Sequence, residues 1–122
     1  MTTRMQFAQL LALLDVQEIT ASAAGSGIDI RDYSQDAKFF VMAESVSGAD
    51  RTMDIDIQDA DAIGGPYANT GVSFTQITTA DFNEAFNERI DRFRRFIRVN
   101  VTIAGTTPVF RVACGVFARP AQ

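Results

Sequence analysis

Histidine is absent from the 122-residue chain, and with it go the usual general base near neutral pH and the commonest metal ligand. A single cysteine, Cys114, excludes an internal disulfide. It falls on the apolar side of a strand-like alternation, where a thiol is buried and inert; thiolate chemistry needs a polar, accessible niche. Tryptophan is missing and the only tyrosines are Tyr33 and Tyr67, so rings for stacking on sugars are scarce. The formal net charge of −4 argues against general affinity for nucleic acid, which needs a basic surface to displace counterions. No apolar run has the length of a membrane-spanning helix. The run from Phe7 to Leu14 is short and ends at Asp15, which argues against a signal peptide even though Ala21-Ser22-Ala23 resembles a cleavage site. No Ser/His/Asp set, glycine-rich phosphate loop or zinc spacing occurs. The expectation is a protein that is not an enzyme, holds no cofactor, and binds neither nucleic acid nor membrane.

What is present is ordinary for a globular chain: 47% hydrophobic and 21% charged residues, with ten Phe as apolar filling. The length suits one domain with a single core. Strict alternation sets Ile97, Val99, Val101 and Ile103 against Arg98, Asn100 and Thr102, the signature of a strand with one buried face. After Ala104-Gly105-Thr106-Thr107-Pro108, Val109 to Phe117 alternates Phe110, Val112, Cys114 and Val116 against Arg111, Ala113 and Gly115, so the two runs predict a hairpin. Lys38 to Val46 reads as a strongly apolar central strand, Ser47-Gly48-Ala49-Asp50 as a turn, and Thr52 to Gln58 as a strand with one wet face. Further strands are expected at Asp15–Ala23, at Ile28–Ile30 as a short piece, and at Val72–Ile77, with a longer loop from Asp59 to Gly71. Seven to eight strands with frequent turn signals predict an all-β fold, an antiparallel and jelly-roll-like β-sandwich over residues 15–122. Residues 1–14 are set apart as an N-terminal arm or short helix. Its apolar side packs on its own domain or reaches a neighbouring subunit.

The stretch Phe82–Phe93 is ambiguous. Phe82, Phe86, Ile90 and Phe93 have helical spacing, and Asp81 with Glu84 resembles a capping box. Read as a strand, the same stretch would put Glu84 and Glu88 on the face of Phe82 and Phe86.

Two charged groups are candidate sites. Asp54, Asp56, Asp59 and Asp61 offer the hard oxygens that calcium takes, but a calcium loop needs Gly at its sixth position, where Asp59 stands. Asp54 and Asp56 are equally the solvent face of a strand. Arg89, Arg92, Arg94, Arg95 and Arg98 crowd one turn, while Lys38 is the chain's one lysine. The turn is either solvated and paired locally with Asp81, Glu84, Glu88 and Asp91, or an interface to an acidic protein surface, which arginine's planar fork suits.

Several segments taken together resemble small decoration (cement) proteins of tailed-phage heads. They are the Gly-rich turn with IDIRDYSQDAKFFV (Ile28–Val41), the diacidic TMDIDIQDAD (Thr52–Asp61), VSFTQIT (Val72–Thr78) and, most specific, IDRFRRFIRVNVTIAGTTPVF (Ile90–Phe110). The resemblance covers about residues 15–118 and leaves out the apolar arm. It implies a β-sandwich on the outer surface of a virion's icosahedral capsid, where the protein binds the major capsid protein, bridges capsomers and forms a trimer. It carries over no catalytic residues. It also implies a strand before the arginine turn, so the expectation adopted is an extended Ala85–Ile90 followed by a helical turn at Asp91–Arg95. Contacts are expected at Phe7, Leu10, Leu11 and Leu14 and at Arg92, Arg94 and Arg95. A tail or head–tail joining component and a carbohydrate-binding module are the alternatives.

Overall fold

A computed structural model describes residues 8–78 and 80–121. Its strands in chain order are β1 (Gln9–Ile19), β2 (Ala23–Ala24), β3 (Ile28–Asp29), β4 (Tyr33–Ala60), β5 (Ala68–Ser73), β6 (Phe82–Arg89) and β7 (Phe96–Pro120). One 3₁₀ turn, Ile90–Arg92, joins β6 to β7.

The fold is built on β4 and β7, which span 28 and 25 residues. They pair antiparallel from Tyr33↔Pro120 to Ala60↔Phe96. Midway, the register shifts between Ser45 and Thr52. At that corner Gly48 (φ 113°) and Asp50 (φ 49°) on β4, and Gly105 (φ 120°) and Thr107 (φ 42°) on β7, take left-handed backbone. Such bulges bend a ribbon sharply. Arg51 clips the bend by donating to the Ser45 hydroxyl and the Gly48 carbonyl.

Each half of the ribbon acquires its own flanks. The first half of β4 and the second half of β7 lie between β6 and β1, giving the order β6-β4-β7-β1. The other halves lie between β5 on one side and β2 and β3 on the other. The two layers face each other: Phe74, whose N–H bonds Ile55 in one layer, has its ring 5.0 Å from that of Phe86 in the other. Phe39, Val41, Phe110 and Val112 from the first layer share one core with Ile55, Ile57, Val99 and Val101 from the second. The expected all-β sandwich is what the chain forms.

Three local expectations are corrected. Ala104–Pro108 is no hairpin loop: both runs of β7 pair with β4, not with each other. Gly and Pro serve a bulged corner as well as a loop, and the same holds for Ser47–Asp50. Second, Gln9–Leu14 form no short helix; they run extended and pack on their own domain as the opening of β1, because the edge of β7 from Phe110 to Ala118 offers backbone groups that need partners. Residues 1–7, Phe7 among them, lie outside the described residues. Third, the strand before the arginine turn begins at Phe82, and the helical turn is the 3₁₀ turn at Ile90–Arg92. Four-residue spacing fits a strand as well as a helix, since it too keeps one face. Glu84 and Glu88 do share that face, and both find partners: Glu84 accepts from the Thr75 N–H at 2.9 Å and its hydroxyl at 2.6 Å, and Glu88 accepts from Arg92 at 2.8 Å.

Candidate interaction surface

The most unusual surface is the outer face of the β6-β4-β7-β1 layer. On β4 the run Phe39-Phe40-Val41-Met42 is apolar at both parities. Phe39 and Val41 enter the core, so Phe40 and Met42 must point outward. Outward on β7 come Ala113, Gly115 and Phe117, which stand beside Met42, Phe40 and Lys38 in the ladder. β1 adds Leu10 and Ala12 opposite Phe117 and Gly115. Leu10 is 57%, Val16 75%, Met42 58% and Phe117 42% exposed. Phe40 stacks on Phe117, with centroids 5.3 Å apart and planes at 30°. To do so its ring crosses Gly115, where a Cβ would lie 2.9 Å from Phe40 Cζ. Two shallow apolar hollows flank Ala113: one reaches Val16, Met42 and Asn83, the other Leu10, Ala12 and Phe40.

The ends of this face differ in charge. Toward the corner, Arg111 bridges Glu18 at 3.2 Å and Glu44 at 3.0 Å, leaving one carboxylate in excess. Toward the arginine turn stand Lys38 and Arg119 around a hollow that Asp36 also lines, two cations to one carboxylate, and neither cation has an ion-pair partner among the described residues.

The arginine turn is the second surface. Arg94 points back into the protein: its Nε and backbone N–H donate to the Asp59 carboxylate, each at 2.9 Å, and Nη2 donates to the Asp59 carbonyl at 2.6 Å. Nη1 reaches Asp61 at 3.3 Å. Arg94 is therefore a staple between the end of β4 and the turn. Arg95 pairs with Asp29 at 2.8 Å and lies over the Phe96 ring; Arg92 pairs with Glu88 and lies over Phe93. The Arg95 hydrogen bond, helped by the Arg31 N–H, holds the Asp29 carboxyl below its usual range. Arg89 does the same to Asp91. Arg98 donates to Gln58 and covers the Tyr67 ring at 4.2 Å.

The four aspartates are not brought together. Asp54 accepts from Gln76, while Asp59 and Asp61 are committed to Arg94, and no cluster fit to hold a metal occurs among the described residues. Cys114 is buried, and burial pushes its thiol up to about 12. The tyrosines are engaged as well. Tyr33 donates to Gln9 at 2.9 Å and Tyr67 to the Ile63 carbonyl at 2.8 Å.

Sequence reasoning named Leu10, Leu11 and Leu14 as contacts, and the structure places Leu10 on the apolar face, with Leu11 and Leu14 half-buried against the core. It missed Phe40, Met42, Val16 and Phe117. The signal was there: two adjacent Phe followed by Val-Met cannot all face inward from one strand.

No family model matches the chain, and no curated protein matches it by sequence. Solved structures do match in fold. The crystal structure of the SPBc2 prophage-derived protein YomS superposes with a TM-score of 0.59 at 10% identity, over 97% of this chain and 98% of that one. The CBM22-1–GH10 modules of Clostridium thermocellum endo-1,4-β-D-xylanase 10B, complexed with xylohexaose, match with a TM-score of 0.55 at 8% identity. There the likeness covers 94% of this chain and 25% of the xylanase chain. At such identities the shared property is the sandwich.

Proposed function

We propose that the chain is a structural protein of a phage virion, one that binds the outer surface of the icosahedral head and stabilises it by bridging capsid subunits. The observation that carries this reading is the apolar sheet face around Phe40, Met42 and Phe117, where Met42 and Phe117 are exposed among the described residues, a surface suited to contact between subunits of an assembly. The arginine-turn segment that resembles head decoration proteins supports it, as does a fold shared end to end with a prophage-derived protein. Shell contact falls to Arg92 and Arg95, whose side chains are 45% and 43% exposed and can exchange Glu88 and Asp29 for carboxylates of the major capsid protein.

The mechanism is mass action. A ligand that binds only the assembled shell stabilises it by RT ln(1 + [L]/Kd), about 2.7 kcal/mol at a concentration a hundredfold above Kd. Several copies bridging neighbours raise this through effective concentration. The test is co-sedimentation of tag-free protein with mature empty shells. Binding that Arg92→Glu with Arg95→Glu weakens is the expected result, and absence of binding refutes the reading. Imaging then separates a decorator, seen over the whole head, from a tail or connector component, seen at one vertex.

A further inference from the structure

The geometry points to a second copy of this chain as the occupant of the apolar sheet face. We infer that two copies pack their β6-β4-β7-β1 layers face to face about a two-fold axis that crosses the strands between Phe40 and Met42.

Three features of the face are self-complementary under that operation. The first is charge. Lys38 and Glu44 are equidistant from the axis on β4, so the rotation sets Lys38 of each copy on Glu44 of the other. The surplus carboxylate beside Arg111 then meets the cations Lys38 and Arg119, which have no ion-pair partner among the described residues. A parallel arrangement would stack like charges. The second is relief. Phe40, raised over Gly115 and stacked on Phe117, comes down near the second copy's Met42 and the hollows that flank its Ala113. The third is composition: the strip around Phe40, Met42 and Ala113 is apolar and the charges of β4 stand outside it, as in protein–protein interfaces with a dry core and a polar rim.

The result is an isologous pair in place of the three-fold ring that the resemblance implies. Because the strands run in opposite directions, the two arginine turns lie at opposite ends of the pair and can engage two capsid subunits at once. That consequence rests on the proposed shell binding; the pairing does not, and it is measured without shells.

The experiment is sedimentation velocity on the full chain over a concentration series, with native mass spectrometry to count copies. Wild type is expected at twice the chain mass. Met42→Lys and Val16→Lys alter exposed positions and should leave circular dichroism unchanged while shifting the protein to monomer. Lys38→Glu and Glu44→Lys should each weaken pairing by about tenfold or more, since like charges then meet. The two together should restore it, because the rotation re-pairs them. A wild-type monomer, a trimer, a pair indifferent to Met42→Lys, or a double swap that fails to recover would each overturn the proposal.

Discussion

Arg94 and Asp59, separated by 35 residues in sequence, are joined by three hydrogen bonds that use both the carboxylate and the carbonyl of Asp59. The pair fastens the arginine turn, which joins β6 of one layer to the start of β7 in the other, to the last residues of β4. Asp59 is only 14% exposed at its side chain, so the bond is sheltered on one side. Acceptance of the Arg94 backbone N–H also fixes the path of the chain into β7.

Replacing Arg94 with Lys keeps the charge and loses the planar fork. The melting temperature is expected to fall by about 3–6 °C, whereas Arg92→Lys, which alters an exposed i,i+4 pair, should change it by about 1 °C or less. Differential scanning calorimetry on the two variants checks this. Equal losses at both positions would show that the fork of Arg94 carries no special weight.

The period-two runs made the strands legible because a half-buried strand must alternate, and Ile97–Val101 and Phe110–Val116 do so in the folded chain. What stayed hidden was where the runs go next. Gly105 and Pro108 mark a reversal or a corner with the same residues, and only the distant β4 decides, by pairing with both halves of β7. The candidate surface was half legible. Leu10 stood out in an apolar stretch, but exposure of Met42 follows from which parity of β4 the core takes. The arginines were visible as a cluster, while Arg94's inward commitment depended on Asp59 arriving from another strand.

Asp29 provides a pH prediction. Its carboxyl is held below the usual 3.8 by the Arg95 hydrogen bond and the Arg31 N–H. A group whose folded value is depressed contributes stability that is complete above the unfolded value and disappears as pH falls through the folded one. Asp91, depressed by Arg89, acts in the same sense. Thermal stability is therefore expected to be flat in these groups near neutral pH and to decline below about pH 4. Asp29→Asn should flatten part of that decline, and added salt should shrink it, since the pair is on the surface. A decline as steep in Asp29→Asn as in wild type would assign the acid sensitivity elsewhere.

Cys114 gives a chemical test of the core. It is 2% exposed and its thiol is pushed up to about 12, so no thiolate is available in the native state at neutral or mildly alkaline pH. Iodoacetamide at pH 8 should leave native protein unlabelled for hours and label it within minutes in 6 M guanidinium, about the concentration that unfolds even very stable domains. Mass spectrometry reads the adduct. Rapid labelling of native protein would mean that β1 leaves the edge of β7 and exposes the thiol.

Gly115 links the core to the apolar face. It is buried between β1 and β4, and a Cβ there would lie 2.9 Å from the Leu11 carbonyl and 2.9 Å from Phe40 Cζ. The carbonyl belongs to the β1 ladder and cannot retreat without opening the pairing at Ala12↔Gly115. The Phe40 ring can move, but only by leaving its stack on Phe117. Gly115→Ala is thus expected to destabilise by about 1–3 kcal/mol, the range for overpacking a filled site. Urea unfolding followed by tyrosine fluorescence measures it. The companion Phe40→Leu removes the ring that the added methyl group would strike, so the double variant should lose less than the sum of the single ones. Additive losses would place the strain at the Leu11 carbonyl alone, and would detach the glycine from the shape of the surface above it.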